Sequence, residues 1–443
     1  MGLFDRLFGS TEKTKDQPDI PFGRYSDSYK SEANYDAWDR ALQSFDKEEY
    51  LEAFRQFFVY LGDPREANVL FSEDAGDIHF ELLQGSRKIT GLANAQRFKA
   101  HAKIAYTQSL NVGFMRRLLE QNFELRYSRY ALDDDNNLII LFDTYAVDAS
   151  PYKLYYALKE LATNADKQDD LLLDEFRMLS PVDIDHLVPV PEAEKAVKYE
   201  FIVHETKAVL DEIENGKLHP EQYPGAMAYL MLHLTYKLDY LTKPEGYMME
   251  TLERINRLYF AKDEKTIAQK NAVLRKEFQT LLDRSKDAFF KEMYRVKATF
   301  GITVPANHDR LVSFIDGELH HMDWYHENKY EKIAIAIPGY ITGYCLFHHA
   351  LPKPDRELLH LYFQITEIAF FRKLGFSFSY YDPATGTFDQ KAIRKAIKQI
   401  QTDNRSKYPQ LNPMVSSLRF DSLVDFAKSF LLMVRNLDMT KAD

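Results

Sequence analysis

Apolar positions recur with different periods along this chain of 443 residues, and each period predicts a different kind of element. Leu3, Phe4, Leu7 and Phe8 fall on one face of a short N-terminal helix. Ser10 to Lys30 is polar, holds Pro18 and Pro21, and reads as a tether. Helical spacing then runs from Ser31 to Leu61. Trp38, Ala41, Leu42 and Phe45 form one apolar set; Tyr50, Ala53, Phe57 and Leu61 form a second, closed by Pro64.

Between Asn68 and Phe176 the pattern changes. Ile78-His79-Phe80-Glu81-Leu82 alternates as a half-buried strand does, Gln84-Gly85-Ser86 makes a turn, and a second strand runs through Ile89. Asn94 to Gln121 reads as helical. Phe123 to Leu132 is rich in Tyr and Phe, Asp133 to Asn137 is a turn, and Leu138 to Phe142 is an apolar strand. Ser150 caps a helix that has Pro151 at its first position and Leu154, Leu158, Leu161 and Ala165 on one face.

Ser180 to Glu192 contains Pro181, Pro189 and Pro191 and reads as a linker. Helical patterns follow near 192–215, 222–243, 247–261, 264–299, 355–373 and 421–436. Ile333 to Pro352 has no Asp, Glu, Lys or Arg, but Pro338, Gly339, Gly343, His348 and His349 interrupt it. These groups are costly in lipid, so the run predicts a helix at the centre of a helical domain, not a membrane span. The fold class expected is α+β: a helical hairpin and an antiparallel-sheet domain over 31–179, a linker over 180–192, and a mostly helical domain over 193–443, preceded by an amphipathic segment and tether over 1–30.

Two resemblances sharpen this. The order Tyr50…Ala53-x3-Phe57…Pro64 resembles one tetratricopeptide-type hairpin, although Ala41-Leu42 stands where Leu-Gly is usual. With no second copy, it reads as a lone hairpin packed on its neighbour. The stretch MRRLLEQNFELRYSRYALDDDNNLIILFDTYAVDASPYKLYYALKELA resembles the type III secretion chaperone-like family, in the broad sense that includes YbjN-type domains. That resemblance covers residues 70–176 and rests on element order, a leucine-rich helix, an acidic turn and an apolar strand. It implies a compact unit with a twisted antiparallel sheet, no catalytic residues, binding of a partner's extended segment on apolar surface, and self-pairing as a homodimer. This chain is much longer than the stand-alone chaperones.

Composition narrows the function classes. The net charge of −10 is dispersed, and no basic stripe with interleaved aromatics is evident, which speaks against nucleic acid. The single cysteine, Cys345, excludes a disulfide framework and a multi-cysteine zinc site. The start MGLFDRLFG lacks the pattern of a signal peptide, so a reducing cytoplasm is expected. Phosphate-loop, dinucleotide, HExxH and GxSxG motifs are missing, and no cofactor is expected.

The candidate residues fall into three groups. His320, Asp323 and His326 are spaced to share part of a helix face and could hold a metal ion. Gly339, Tyr340, Gly343, Tyr344 and His348 could line a small-molecule pocket within 300–375, although close helix packing explains the glycines more simply. Leu3, Phe4, Leu7 and Phe8 could dock on a protein partner or, through peripheral contact, on a membrane surface. The leading expectation is a protein-binding adaptor or chaperone-like protein. The alternative is an enzyme or ligand sensor using the 300–375 region.

Overall fold

Ser31 opens the first helix with a reciprocal cap: its hydroxyl accepts from the Asn34 backbone N–H, and the Asn34 side chain accepts from the Ser31 N–H. The same Asn34 amide donates to the Val59, Tyr60 and Gly62 carbonyls, which ties α1 (Glu32–Asp46) to the end of α2 (Tyr50–Leu61). The computed structural model describes residues 17–107, 112–176 and 178–442. The amphipathic positions Leu3, Phe4, Leu7 and Phe8 lie outside the described residues.

The hairpin caps a seven-stranded sheet. Its strands are β1 (Val69–Asp74), β2 (Asp77–Gln84), β3 (Arg87–Ala93), β4 (Arg97–Thr107), β5 (Arg129–Leu132), β6 (Asn137–Tyr145) and β7 (Leu179–Pro181). The order is β1-β2-β3-β4-β6-β5, with β7 added to the end of β4, and every pairing is antiparallel. Alternate residues point to opposite faces of a strand. One face carries Phe80, Ile89, Phe98, Ala102, Ile140 and Phe142 into a core shared with Phe54 and Phe58 of α2. Leu154, Leu158 and Leu161 of α4 (Pro151–Glu175) complete it. Between β4 and β5 stands α3 (Val112–Glu124).

The expected helix over 94–121 is therefore a strand followed by a shorter helix. Ala100, Ala102 and Ala105 are strong helix formers, and they hide a strict two-residue alternation in Arg97 to Ile104. Tertiary pairing on both sides of β4 overrides that preference.

The stretch read as a linker is structured as well. β7 extends the sheet, and β8 (Val188–Pro189) pairs with β9 (Tyr294–Arg295) far along the chain. The helical part then runs through α5 (Glu192–Asn215), α6 (Pro224–Thr242), α7 (Gly246–Phe260), α8 (Ile267–Leu282) and α9 (Lys286–Lys291). After the short β10 (Val304–Pro305) come α10 (His308–Glu318), α11 (Met322–Glu327) and α12 (Glu331–His348). β11 (His349–Ala350), α13 (Lys353–Thr366), α14 (Ile368–Lys373), the β12–β13 hairpin (Tyr381–Asp382, Thr387–Phe388), α15 (Gln390–Asn404) and α16 (Leu423–Arg435) finish the fold.

The uncharged run is α12, sunk in the helical core against α6. No helix among the described residues is long and apolar enough to cross a membrane. The long helix expected over 264–299 breaks at Ser285, whose hydroxyl caps the new turn of α9 by accepting from the Ala288 N–H. Its last residues leave the helical part altogether. Lys297 bridges to Gly85, the Thr299 hydroxyl donates to the Leu83 carbonyl, and the Gln84 side-chain oxygen accepts from the Thr299 and Phe300 N–H groups. Phe300 is buried in the core of the sheet domain.

The residues read as a polar tether form a second strap between the two parts. Phe22 packs against His360, Phe371 and Phe376, and the Gly23 N–H donates to the Tyr240 carbonyl. Arg24 enters the helical core, while Asp27 accepts from the Tyr155 hydroxyl of α4 at 2.7 Å. Sheet and helices are thus joined by 17–30 and 297–300, which meet at Tyr155: its hydroxyl donates to Asp27 and its ring packs edge-on against Phe300.

Candidate functional site

Two surfaces of the sheet domain and one cleft of the helical part gather chemistry. On α3, Phe114 and Leu118 face inward, and Phe114 stacks edge-on against Phe176 at 5.1 Å. Asn122 ties the helix to β5 by exchanging hydrogen bonds with Tyr130. The opposite stripe is bare: Val112 is 87% exposed, Leu119 67% and Phe123 90%, with Met115 beside them. Positions 112, 115, 119 and 123 are the spacing of one helix face, so this is a continuous apolar ridge and not scattered surface residues. Arg116 and Arg117 flank its first half, Glu120 and Glu124 its second.

The face of the sheet turned away from the core of its domain is the second surface; Leu83 and Ile139 on it are buried, and Asp185 of the following segment pairs with Lys88. Arg97, Lys99, His101 and Lys103 project from its central strand, and their register places Leu92 and Asp143 beside Lys99 and Thr90 beside His101. The Thr90 hydroxyl and His101 Nε2 meet at 3.3 Å across the strands, which fixes their shared face. Partial burial, with Lys99 and Lys103 adding to it, holds His101 below the usual histidine range. The β4 residues were legible in principle as a period-two run. The helical reading of that stretch concealed them.

In the helical part, the metal-type residues are engaged elsewhere. His320 sits in a tight 3₁₀ turn (Leu319–His321) ahead of α11 and packs on His321 at 4.0 Å, so it shares no continuous helix with Asp323. Asp323 pairs with Lys428, and His326 Nδ1 meets Glu331 at 3.1 Å. Among the described residues, no three His, Cys, Asp or Glu side chains gather to hold a metal ion.

The pocket-type residues separate into packing and lining. Gly339 lies against the His233 ring and Gly343 against Tyr236, so close that an added Cβ would stand 2.4 Å and 2.6 Å from those side chains. These glycines serve the α6–α12 contact. Tyr340 is buried among Tyr229, Tyr236 and Phe314. Tyr344 stacks face to face on Phe314 at 4.2 Å, with His348 on its other side.

Tyr344 and His348 do line an open cleft of about 540 Å³, together with Asn307, Arg310 and His349. Both ring nitrogens of His349 are buried without a hydrogen bond among the described residues, and Arg310 makes no ion pair among them. His348 Nε2 shares the Asn256 side-chain oxygen with the Tyr236 hydroxyl. Burial, assisted by Arg24 and Arg310, pushes His348 down to about 4, so the ring is neutral near pH 7.

One constellation had no linear signal at all. His308 and Asp355, the first-turn residues of α10 and α13, meet at 2.9 Å, with His308 lining a wide groove and Asp355 fully buried behind it. Burial lowers the His308 pKa, but Asp355 outweighs it and the net direction is upward. The Arg435 backbone carbonyl stands by the same ring, without closing a regular bond to its Nε2. That placement reads as a clamp on the two helix starts.

No protein-family model matches the chain, and neither a curated protein nor a solved structure matches it.

Proposed function

We propose that this chain is a protein-binding adaptor whose sheet domain pairs with a second copy of itself along α3. The observation that carries the reading is the bare ridge of Val112, Met115, Leu119 and Phe123 on a helix whose other face is firmly anchored. Charge complementarity names the occupant. Two copies of α3 laid antiparallel place Arg116 and Arg117 of one beside Glu120 and Glu124 of the other, while the apolar ridges meet between them. Burying Leu119 or Phe123 in such a contact contributes roughly 1.5–3 kcal/mol per side chain.

The full-length protein is expected to scatter light as a dimer at micromolar concentration. The double variant Leu119→Glu, Phe123→Glu is expected to be monomeric with an unchanged circular dichroism spectrum. A wild-type protein that stays monomeric throughout that concentration range refutes the reading.

A second reading is favoured by Arg310 and His349: the cleft between 304–310 and 344–349 would take a small anion. On that reading, inorganic phosphate raises the melting temperature of the wild type and has no effect on Arg310→Ala. Identical melting curves with and without phosphate remove it.

A further inference from the structure

The sheet face opposite the core carries more positive charge than anything the linear sequence suggests. In a chain of net charge −10, Lys88, Arg97, Lys99, Lys103 and Arg129 share one face with Glu81 and Asp143. The carboxylates on and around this face are engaged: Asp143 accepts from Arg129 at 2.7 Å, Glu81 and Asp185 each lie 3.7 Å from Lys88, and Asp133 and Asp183 stand near His101. Lys99 and Lys103 form no ion pair among the described residues. The Arg97 guanidinium lies over the ring of Tyr145 at 5.4 Å and forms no ion pair among the described residues. Like charges stacked along one strand repel, so this row lowers stability and is relieved by an anion.

We infer that this face is a docking surface for an extended acidic polypeptide segment. Residues pointing to one face of a strand recur about every 6.6 Å, so the basic row from Arg97 to Lys103 spans about 20 Å. An extended chain laid along β4 presents its own alternate side chains at the same interval, and carboxylates at those positions meet successive cations. The walls of the row are apolar and half-buried: Leu92 on β3 and Leu141 on β6. They suit apolar residues interspersed among the acidic ones.

The same walls argue against a nucleic acid. Sheet faces that take single strands stack bases on aromatic rings of the central strands. Here the central strand offers Arg97, Lys99, His101 and Lys103, and the aromatic Tyr145 stands at the end of β6, already covered by Arg97.

The test uses the full-length protein and fluorescence anisotropy with two probes: a fluorescein-labelled peptide of alternating glutamate and leucine, and a labelled oligouridine of equal formal charge. Wild type is expected to bind the peptide in a salt-sensitive manner and to prefer it over the oligouridine. Lys99→Glu combined with Lys103→Glu is expected to weaken peptide binding at least about tenfold, the order expected when paired charges become like charges. The same charge change at Lys391 and Lys398, exposed on α15, is expected to leave it unaltered. Both side chains at the test site point away from the core, and a melting curve confirms folding. Peptide binding that survives the double variant, or is absent from wild type, overturns the inference, and a preference for oligouridine replaces the peptide by a nucleic acid. The ridge on α3 lies on a different element, so a monomeric protein that still captures the peptide leaves this inference standing.

Discussion

Arg24→Ala is expected to lower the unfolding free energy by about 3–5 kcal/mol, the range found when one partner of a buried ion pair is removed. The guanidinium forks onto both Asp239 oxygens, donates to Glu253 at 3.0 Å, and lies over the Phe347 ring at 3.7 Å. Asp239 is 3% exposed. Burial pushes its carboxyl upward, and Arg24 offsets part of this, leaving the net direction upward. Without Arg24, a carboxylate remains in the helical core with no counter-ion, or the core takes up a proton to neutralise it. Arg24→Lys is expected to recover only part of the loss, because an ammonium cannot reproduce the planar fork or its stacking on a ring. Urea unfolding of the intact chain measures both. A loss below about 1 kcal/mol, the scale of a surface pair, would show that the strap is only laid on the helical core.

The strap also shows where the sequence was hard to read. Residues 17–30 are polar by composition, and polar composition with prolines ordinarily means solvent. What tethers them is a handful of long-range pairings: Phe22 with Phe371, Arg24 with Asp239, Asp27 with Tyr155. None of these partners lies nearby in the chain, so no local period marks them. The same holds for Thr299 and Phe300, whose hydrogen bonds go to Gln84, more than two hundred residues upstream. By contrast, the hairpin and the α4 helix with its Ser150 cap were legible from their own periodicity and end signals, and the buried α12 from its long run without charge.

The binding surfaces were legible unevenly for the same reason. Val112, Leu119 and Phe123 sit at helical spacing, yet so do Phe114 and Leu118; only the packing tells which set faces inward. In β4 the alternation was present, but alanine at the inward positions made it resemble a helix. Gly339 and Gly343 carry the opposite lesson. Their spacing fits a ligand approach and a helix crossing alike, and the ring of His233 and the Cβ of Tyr236 occupy the space a ligand would need.

Acid is expected to destabilise the fold well above the pH at which carboxylates titrate. His360 is enclosed by Phe22, Tyr240 and Phe371, with Nδ1 facing the Tyr240 hydroxyl at 2.9 Å, and burial pushes its pKa down to about 4. His348 is displaced to about 4 for the same reason. In the unfolded chain each titrates near 6.5. Between about pH 6.5 and about pH 4 the unfolded state therefore binds more protons than the folded one, and stability falls steadily as pH is lowered through that window. A displacement of this size corresponds to about 3 kcal/mol for the enclosed His360, and to less for His348, which water partly screens. His308 works in the other direction: its raised pKa contributes stability in acid that is lost as pH rises through its folded value. Urea unfolding at several pH values checks the slope, and His360→Gln, which keeps a polar neutral group beside Tyr240, is expected to remove about one proton of linkage from it. A variant whose stability falls with acid as steeply as the wild type's would assign the acid sensitivity to other groups.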